Sequence, residues 1–231
     1  MFRIIKWLIA LPVGVFIFFN AYVYGNIITY RAVAPYQTAF MSMRMKQFAQ
    51  EGSDVPLDYR WVSYNQISPN LKKALIASED AKFAEHAGFD WGGIQYAIKR
   101  NRKTGKVKAG GSTISQQLAK NLFLNESRSY IRKGEEAAIT AMMEAVTDKD
   151  RIFELYLNSI EWYYGVFGAE AAAQKFFHKP AANLSRQQAA SLAARVPAPL
   201  FYANNPKSKR LRAKTNIILR RMGSAELPDT E

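Results

Sequence analysis

Between Lys6 and Arg31 the chain carries no charge, and residues 7–28 are mostly Leu, Ile, Val, Phe, Tyr and Ala. Coiled as an α-helix, such a stretch is about 33 Å long, enough to cross the hydrocarbon core of a bilayer. A helix is also the conformation that satisfies its backbone there, and Pro12 and Gly14 are tolerable within it. Tyr22, Tyr24 and Tyr30 are expected to form an aromatic belt at the far interface. Arg3 and Lys6 make residues 1–6 a cytoplasmic tail. Arg31, Arg44 and Lys46 argue the other way, but a large following domain translocates largely regardless of such charges. Ala32-Val33-Ala34 mimics a signal-peptide cleavage site. The apolar run is too long for a typical signal, and Pro35 would follow the cut, so a retained anchor is expected.

The other 200 or so residues of the 231 suit one domain with its own core. Lys and Arg total 32 against 19 Asp and Glu, a formal charge of +13, which points to an anionic partner: nucleic acid, a lipid surface or a phosphorylated substrate. With no cysteine, disulfides, thiol catalysis and thiolate-held metal are excluded. With His86 and His178 the only histidines, a histidine-rich metal site is not expected.

Residues 29–58 read as a juxtamembrane connector. Phe40, Met41, Met43 and Met45, mixed with Arg44 and Lys46, suit either the lipid surface or a linker helix packed on the domain. Residues 59–231 form the expected domain. Tyr59 to Tyr64 is its one plausible short strand. Ser68-Pro69 caps a helix with Leu71, Ala74 and Leu75 on its apolar face, and Asp90 caps another with Ile94, Ala97 and Ile98. Asn101 to Gly111 reads as a basic loop. Ser112 opens a helix carrying Ile114, Leu118 and Leu122, and a long helix covers residues 128–147 with Ile131, Ile139, Met142, Met143 and Val146 buried. Asp148 caps the next helix, and Ser185 with Gln188 forms a capping box for another, which Pro197 and Pro199 end. A basic helix follows Pro206. The fold class is all-α, with no strand series for a nucleotide-binding sheet.

Three stretches carry chemistry. Thr113, Gln117, Lys120 and Asn121 share one helical face, which suits either a polar, partly anionic ligand or plain solvent. Arg128, Arg132 and Glu136 also share a face; they form either a phosphate grip or an exposed ion-pair ladder, and spacing alone favours the ladder. Glu79 lies one turn after Leu75, where burial would suit a carboxyl group to proton transfer near neutral pH. His86 reads as a structural histidine near a helix end.

Five segments together resemble the glycosyltransferase domain of the peptidoglycan synthases, or class A penicillin-binding proteins, and most closely the monofunctional biosynthetic peptidoglycan transglycosylases. They are ASEDAKFAEHAGFDW (77–91), GGSTISQQLAKNLFL (110–124), SRSYIRKGEE (127–136), KDRIFELYLN (149–158) and GVFGAEAAAQKFFHKPAANLS (165–185). The resemblance implies a lysozyme-like helical domain with a membrane-dipping lobe beside its cleft. It implies polymerisation of lipid II, the undecaprenyl-diphosphate disaccharide-pentapeptide, onto a growing lipid-linked glycan chain, with an inverted β-1,4 link and release of undecaprenyl diphosphate.

By motif position Glu79 matches the general base, and Glu136 the second catalytic glutamate. Lys120, Arg128 and Arg132 match diphosphate contacts; Ser112, Thr113, Gln117, Asn121, Asp80, Phe83 and His86 match cleft positions. Other implied partners are the phospholipid membrane and proteins of cell-wall synthesis or division, with no nucleic acid. Mg or Mn is implied as a helper, although no ligand motif is visible. Trp162-Tyr163-Tyr164 departs from the Phe-Gly-Asp common in the family and leaves the local turn geometry open. No Ser-x-x-Lys occurs, so Lys103-Thr104-Gly105 is an isolated triplet and no transpeptidase domain is expected. Two rival readings are a lysozyme-like glycan-cleaving enzyme and a membrane-tethered module that binds anionic polymer.

Overall fold

A computed structural model describes residues 2–105, 110–127 and 129–228. Helix α1 (Phe2–Tyr30) contains the apolar run, and Ala10–Tyr30 has the length and hydropathy to span a membrane with little of it buried. The helix is not bare throughout. Val23 and Ile27 are fully covered and belong to the domain's main core. Tyr30 stacks on Phe123 with centroids 6.1 Å apart, so it is a packing residue and leaves the expected aromatic belt to the exposed Tyr22 and Tyr24. Arg151 locks the exit by donating from Nε to the Tyr30 carbonyl at 2.7 Å and from Nη2 to that of Val33 at 2.9 Å.

The connector forms α2 (Ala39–Gln50), capped by the Thr38 hydroxyl, which accepts from the Met41 amide. Phe40, Met41 and Phe48 are buried, so of its two readings the packed helix is the one observed. The strand expected over 59–64 shrinks to β1 (Asp58–Tyr59), because Ser63 caps a 3-10 turn at Tyr64–Gln66.

Then follow α3 (Pro69–Glu79), α4 (Trp91–Thr104), α5 (Ile114–Phe123), α6 (Tyr130–Val146) and α7 (Lys149–Ser159). Ser68 and Asp90 cap α3 and α4 as anticipated. α4 runs into what was expected to be the start of the basic loop; residues 106–109 of that loop lie outside the described residues. The cap of α5 is Thr113, one residue beyond the expected Ser112, because Gln116 completes a capping box with it. Residue 129 caps α6; Ile139 and Met143 are buried as expected, but Ile131 is 78% exposed, since this first turn projects past the neighbouring helices. Ile98 is exposed too, against expectation.

The remaining elements are β2 (Glu161–Tyr163), β3 (Val166–Phe167), α8 (Ala169–Phe177), α9 (Arg186–Ala193), α10 (Pro199–Asn204) and α11 (Lys209–Arg221). Ser185 and Gln188 make their capping box, whereas Pro199 begins α10 instead of merely ending α9. The three strands form a small sheet in the order β1-β3-β2, parallel between β1 and β3 and antiparallel between β3 and β2. The turn between β2 and β3 places Gly165 at φ 67°, where a side-chain carbon would lie 2.3 Å from the Pro56 carbonyl oxygen, so glycine alone fits. Trp162 is fully buried and Tyr164 accepts from Asn204 Nδ2 at 2.8 Å, which settles the turn that the unusual Trp-Tyr-Tyr left open.

Candidate active site

Glu79 ends α3 with its side chain mostly covered. Three groups stand against its carboxylate, and a fourth orients one of them. The Ser78 hydroxyl donates to Oε1 at 2.7 Å, Gln117 Nε2 donates to Oε2 at 3.4 Å, and Lys214 Nζ on α11 stands 3.6 Å from Oε1. The Tyr156 hydroxyl donates to Gln117 Oε1 at 3.1 Å and so fixes the amide that faces Glu79. Burial, and then the charges of Glu79 and Asp80, push the Tyr156 hydroxyl well above its ordinary range, which keeps it a donor.

The next residue, Asp80, has a different role. Its buried carboxylate accepts the Ile114 amide at 2.9 Å and faces His86 Nε2 at 3.0 Å. It thereby ties the end of α3 to the first turn of α5, where a carboxylate also meets the positive end of the helix. Phe83 is fully buried against Phe153, centroids 5.2 Å apart, and Thr113 is turned inward, its hydroxyl donating to the Gly88 carbonyl at 2.7 Å. Thus Asp80, Phe83, His86 and Thr113, expected to line the cleft, instead hold its frame. Thr113 leaves the polar stripe because a capping residue's side chain folds back on its own helix.

The rest of the stripe stays together. Gln117, Lys120 and Asn121 line a cleft of about 210 Å³, closed on other sides by Arg44, Glu161 and the 196–199 strap. Lys120 is the stripe's cation. Its burial lowers its pKa, and Glu126 and Glu136 act against that. Glu136 is 3% exposed, so it is no surface ladder. Arg132 Nη1 donates to its Oε2 at 2.6 Å, and Lys133 Nζ donates to its Oε1. Arg132 is further held by its Nε, which donates to the Ser127 carbonyl at 2.6 Å, and Lys133 reaches Ser112 Oγ at 3.3 Å. Arg128 lies outside the described residues. The structure therefore brings Glu79 to the stripe through Gln117 and Glu136 to it through the charge of Lys120, with cations beside each glutamate.

Sequence reasoning missed five contributors. Lys133 had a local signal, since it is three residues from Glu136 on the same helix. Lys214 and Tyr156 had none, because they arrive from distant helices. Arg44 and Glu161 pair across 117 residues, with Nε 3.2 Å from Oε2. Burial raises the Glu161 carboxyl from 4.5 to about 7, Arg44 opposes that shift, and Glu126 adds to it.

The unfolded chain releases this proton above about pH 4.5, while the folded chain keeps it to about 7. Stability therefore falls as pH rises through that window and is level above it. Glu161→Gln is expected to flatten the fall, losing roughly 2–3 kcal/mol less than wild type between about pH 4 and pH 8 in urea unfolding. An unchanged pH slope would show that Glu161 is not the buried acid responsible.

Among the described residues no group of three or more His, Asp or Glu gathers to hold a metal ion. Asp80 is occupied by His86 and a backbone amide, and Glu136 by two side-chain cations, so the residues present do not fit a protein-held Mg or Mn.

Glu79 beside Gln117 and Lys214, and Glu136 among Arg132 and Lys133, set two covered carboxylates with cations around one polar stripe of a helical frame, the kind of site that serves group transfer. The transglycosylase family model matches residues 45–223, and the chain belongs to that family. It is 84% identical over its whole length to a biosynthetic peptidoglycan transglycosylase of Neisseria meningitidis serogroup C (strain 053442), covering 99% of that protein. Its identity to the protein of the same name from Neisseria gonorrhoeae (strain NCCP11945) is 82%, with 100% of this chain and 99% of that one covered.

Proposed function

We propose that the chain polymerises lipid II into β-1,4-linked glycan strands in cell-wall synthesis. The observation that carries this reading is that two covered carboxylates meet one polar stripe on α5: Glu79 accepts from Gln117, and Glu136, held by Arg132 and Lys133, acts on the charge of Lys120. Glu79 takes the proton from the C4 hydroxyl of the incoming lipid II. The freed oxygen forms a bond to the anomeric carbon of the growing chain. That carbon's bond to the diphosphate breaks from the opposite face, which inverts it, and undecaprenyl diphosphate leaves with the electron pair. Lys120, Arg128, Arg132 and Lys133 take up the negative charge on the departing oxygens. Glu136 keeps Arg132 and Lys133 aimed at it.

In this reading the substrate's lipid tail stays in the bilayer. α1 is the anchor, with the domain in the envelope outside the cytoplasmic membrane. Trp91, Tyr96, Ile98, Tyr130 and Ile131 are exposed large apolar side chains suited to dip into that membrane. Residues 1–6 remain inside, 29–58 connect, and 59–231 form the catalytic domain.

Purified protein given lipid II is expected to yield polymer, and given finished sacculi to release nothing. Release of soluble fragments from sacculi would instead make it a glycan-cleaving enzyme. A reporter fused to the C-terminus is expected to be active only outside the cytoplasm; cytoplasmic activity would overturn both the topology and the reaction.

A further inference from the structure

Arg44 reaches the cleft from the connector helix α2 and makes contacts of two kinds. Two are mostly covered: Nε donates to Glu161 Oε2 at 3.2 Å, and Nη1 donates to Gln47 Oε1 at 2.7 Å. The third is open to water. Nη2 donates to Glu126 Oε1 at 3.3 Å, and the Glu126 side chain is 47% exposed. Glu126 stands on the bend between α5 and α6, and Arg44 is the one side chain its carboxylate accepts from among the described residues.

Arg44, Glu126 and Lys120 line the same cleft. Arg44 Cζ and Lys120 Nζ lie 5.0 and 5.7 Å from the centroid of one ring, that of Phe40, so the two cations are neighbours. Glu126 is the first of the charges that offset the effect of burial on Lys120, and it also adds to the raised pKa of Glu161. Its carboxylate thus sits between two cations of the cleft, close to a second carboxyl group and with nearly half its surface in water. An exposed ion pair of this kind is weak. A diphosphate carries two or more negative charges and offers acceptors on both phosphorus atoms, so it can take Arg44 Nη2 and Lys120 together, whereas Glu126 bridges to Arg44 alone among the described residues.

Taking the cleft as the diphosphate site of the reaction proposed above, we propose that Arg44 is a further binding residue for that diphosphate, and that the Glu126 carboxylate holds its place until the substrate displaces it. Departure of Glu126 frees only Nη2, because Nε and Nη1 keep their inner partners and hold the guanidinium in position.

The test is calorimetric titration of the full chain, held in phosphatidylcholine nanodiscs, with geranyl diphosphate, a short soluble prenyl diphosphate. Glu126→Gln should tighten binding about threefold or more, since the competing carboxylate is gone. Arg44→Met combined with Glu161→Gln removes the cation together with its buried partner and should weaken binding about tenfold. Glu126→Gln added to that chain should gain less than it does in wild type, because no Arg44 remains to be unmasked. Should the combined variant unfold, Arg44→Lys, which keeps the charge and loses the fork, replaces it with the same expectation. No tightening by Glu126→Gln, equal tightening in both backgrounds, or unaltered binding on loss of Arg44 would each overturn the assignment. Arg132→Ala separates this from failure of the cleft reading. Binding lost there but indifferent to Arg44 and Glu126 leaves the cleft a diphosphate site without Arg44; binding that Arg132→Ala does not weaken, or no saturable binding at all, removes the diphosphate site and Arg44's part in it.

Discussion

Glu79→Gln is expected to abolish polymerisation while the chain stays folded. The amide has the shape of the carboxylate and can still accept from Ser78 Oγ, which lies 2.7 Å from Oε1 in the wild type. It cannot take the acceptor's proton. Loss of a positioned general base costs roughly 10²–10⁴-fold in rate. The surrounding groups make this a clean test, because Lys214 and Gln117 approach from helices packed independently of Glu79. Initial rates on lipid II, with thermal melts of both proteins, decide it. A folded variant that retains more than half the wild-type rate would remove Glu79 from the role of base.

Arg132→Ala should cost about 10²-fold or more in turnover, the scale of a lost transition-state donor. In the proposed reaction, as the bond to the sugar breaks, charge grows on the diphosphate oxygens, and a fixed cation there stabilises the transition state more than the ground state. Arg132 is fixed from two sides, by Glu136 and by the Ser127 carbonyl. Arg132→Lys should rescue only in part, since an ammonium lacks the fork that makes both contacts. Glu136 keeps Lys133 in the alanine variant, so its buried charge is not abandoned and folding should survive. Binding of lipid-free glycan should change far less than turnover. If both fall equally, Arg132 serves the fold or general glycan binding.

Much of this architecture is legible locally. Helix caps such as Ser68, Asp90 and Ser185 announce themselves because a capping hydroxyl or carboxylate needs only a residue two or three positions away. The same holds for Arg132 and Glu136, one turn apart. What spacing does not reveal is burial. Glu136 reads by spacing as a surface rung until α6 is seen packed on α5 with Glu136 buried, and Ile131 reads as core until its turn is seen to stand clear. Motif membership has its own blind spot. Asp80, Phe83 and His86 accompany Glu79 in the same segment, yet Asp80, faced by His86, ties the end of α3 to α5, Phe83 packs on Phe153 of α7, and Gln117, Lys120 and Asn121 line the cleft. Lys214, Tyr156 and the Arg44–Glu161 pair belong to no local pattern, because tertiary packing alone brings them in.

Val23 and Ile27 sit in the domain's core, and Arg151 grips the backbone where α1 ends. α1 is therefore keyed into the domain like a shaft into a hub, and its rotational phase is part of the design. One residue inserted after Ile27 would turn the upstream ridge by about 100° and withdraw Val23 from its seat, whereas four would nearly restore the angle at the cost of about 6 Å in height. In the proposed placement, with α1 in the bilayer, the cleft meets that bilayer at a set tilt and elevation, and a substrate held there by a lipid tail would present its reacting end at a matching depth.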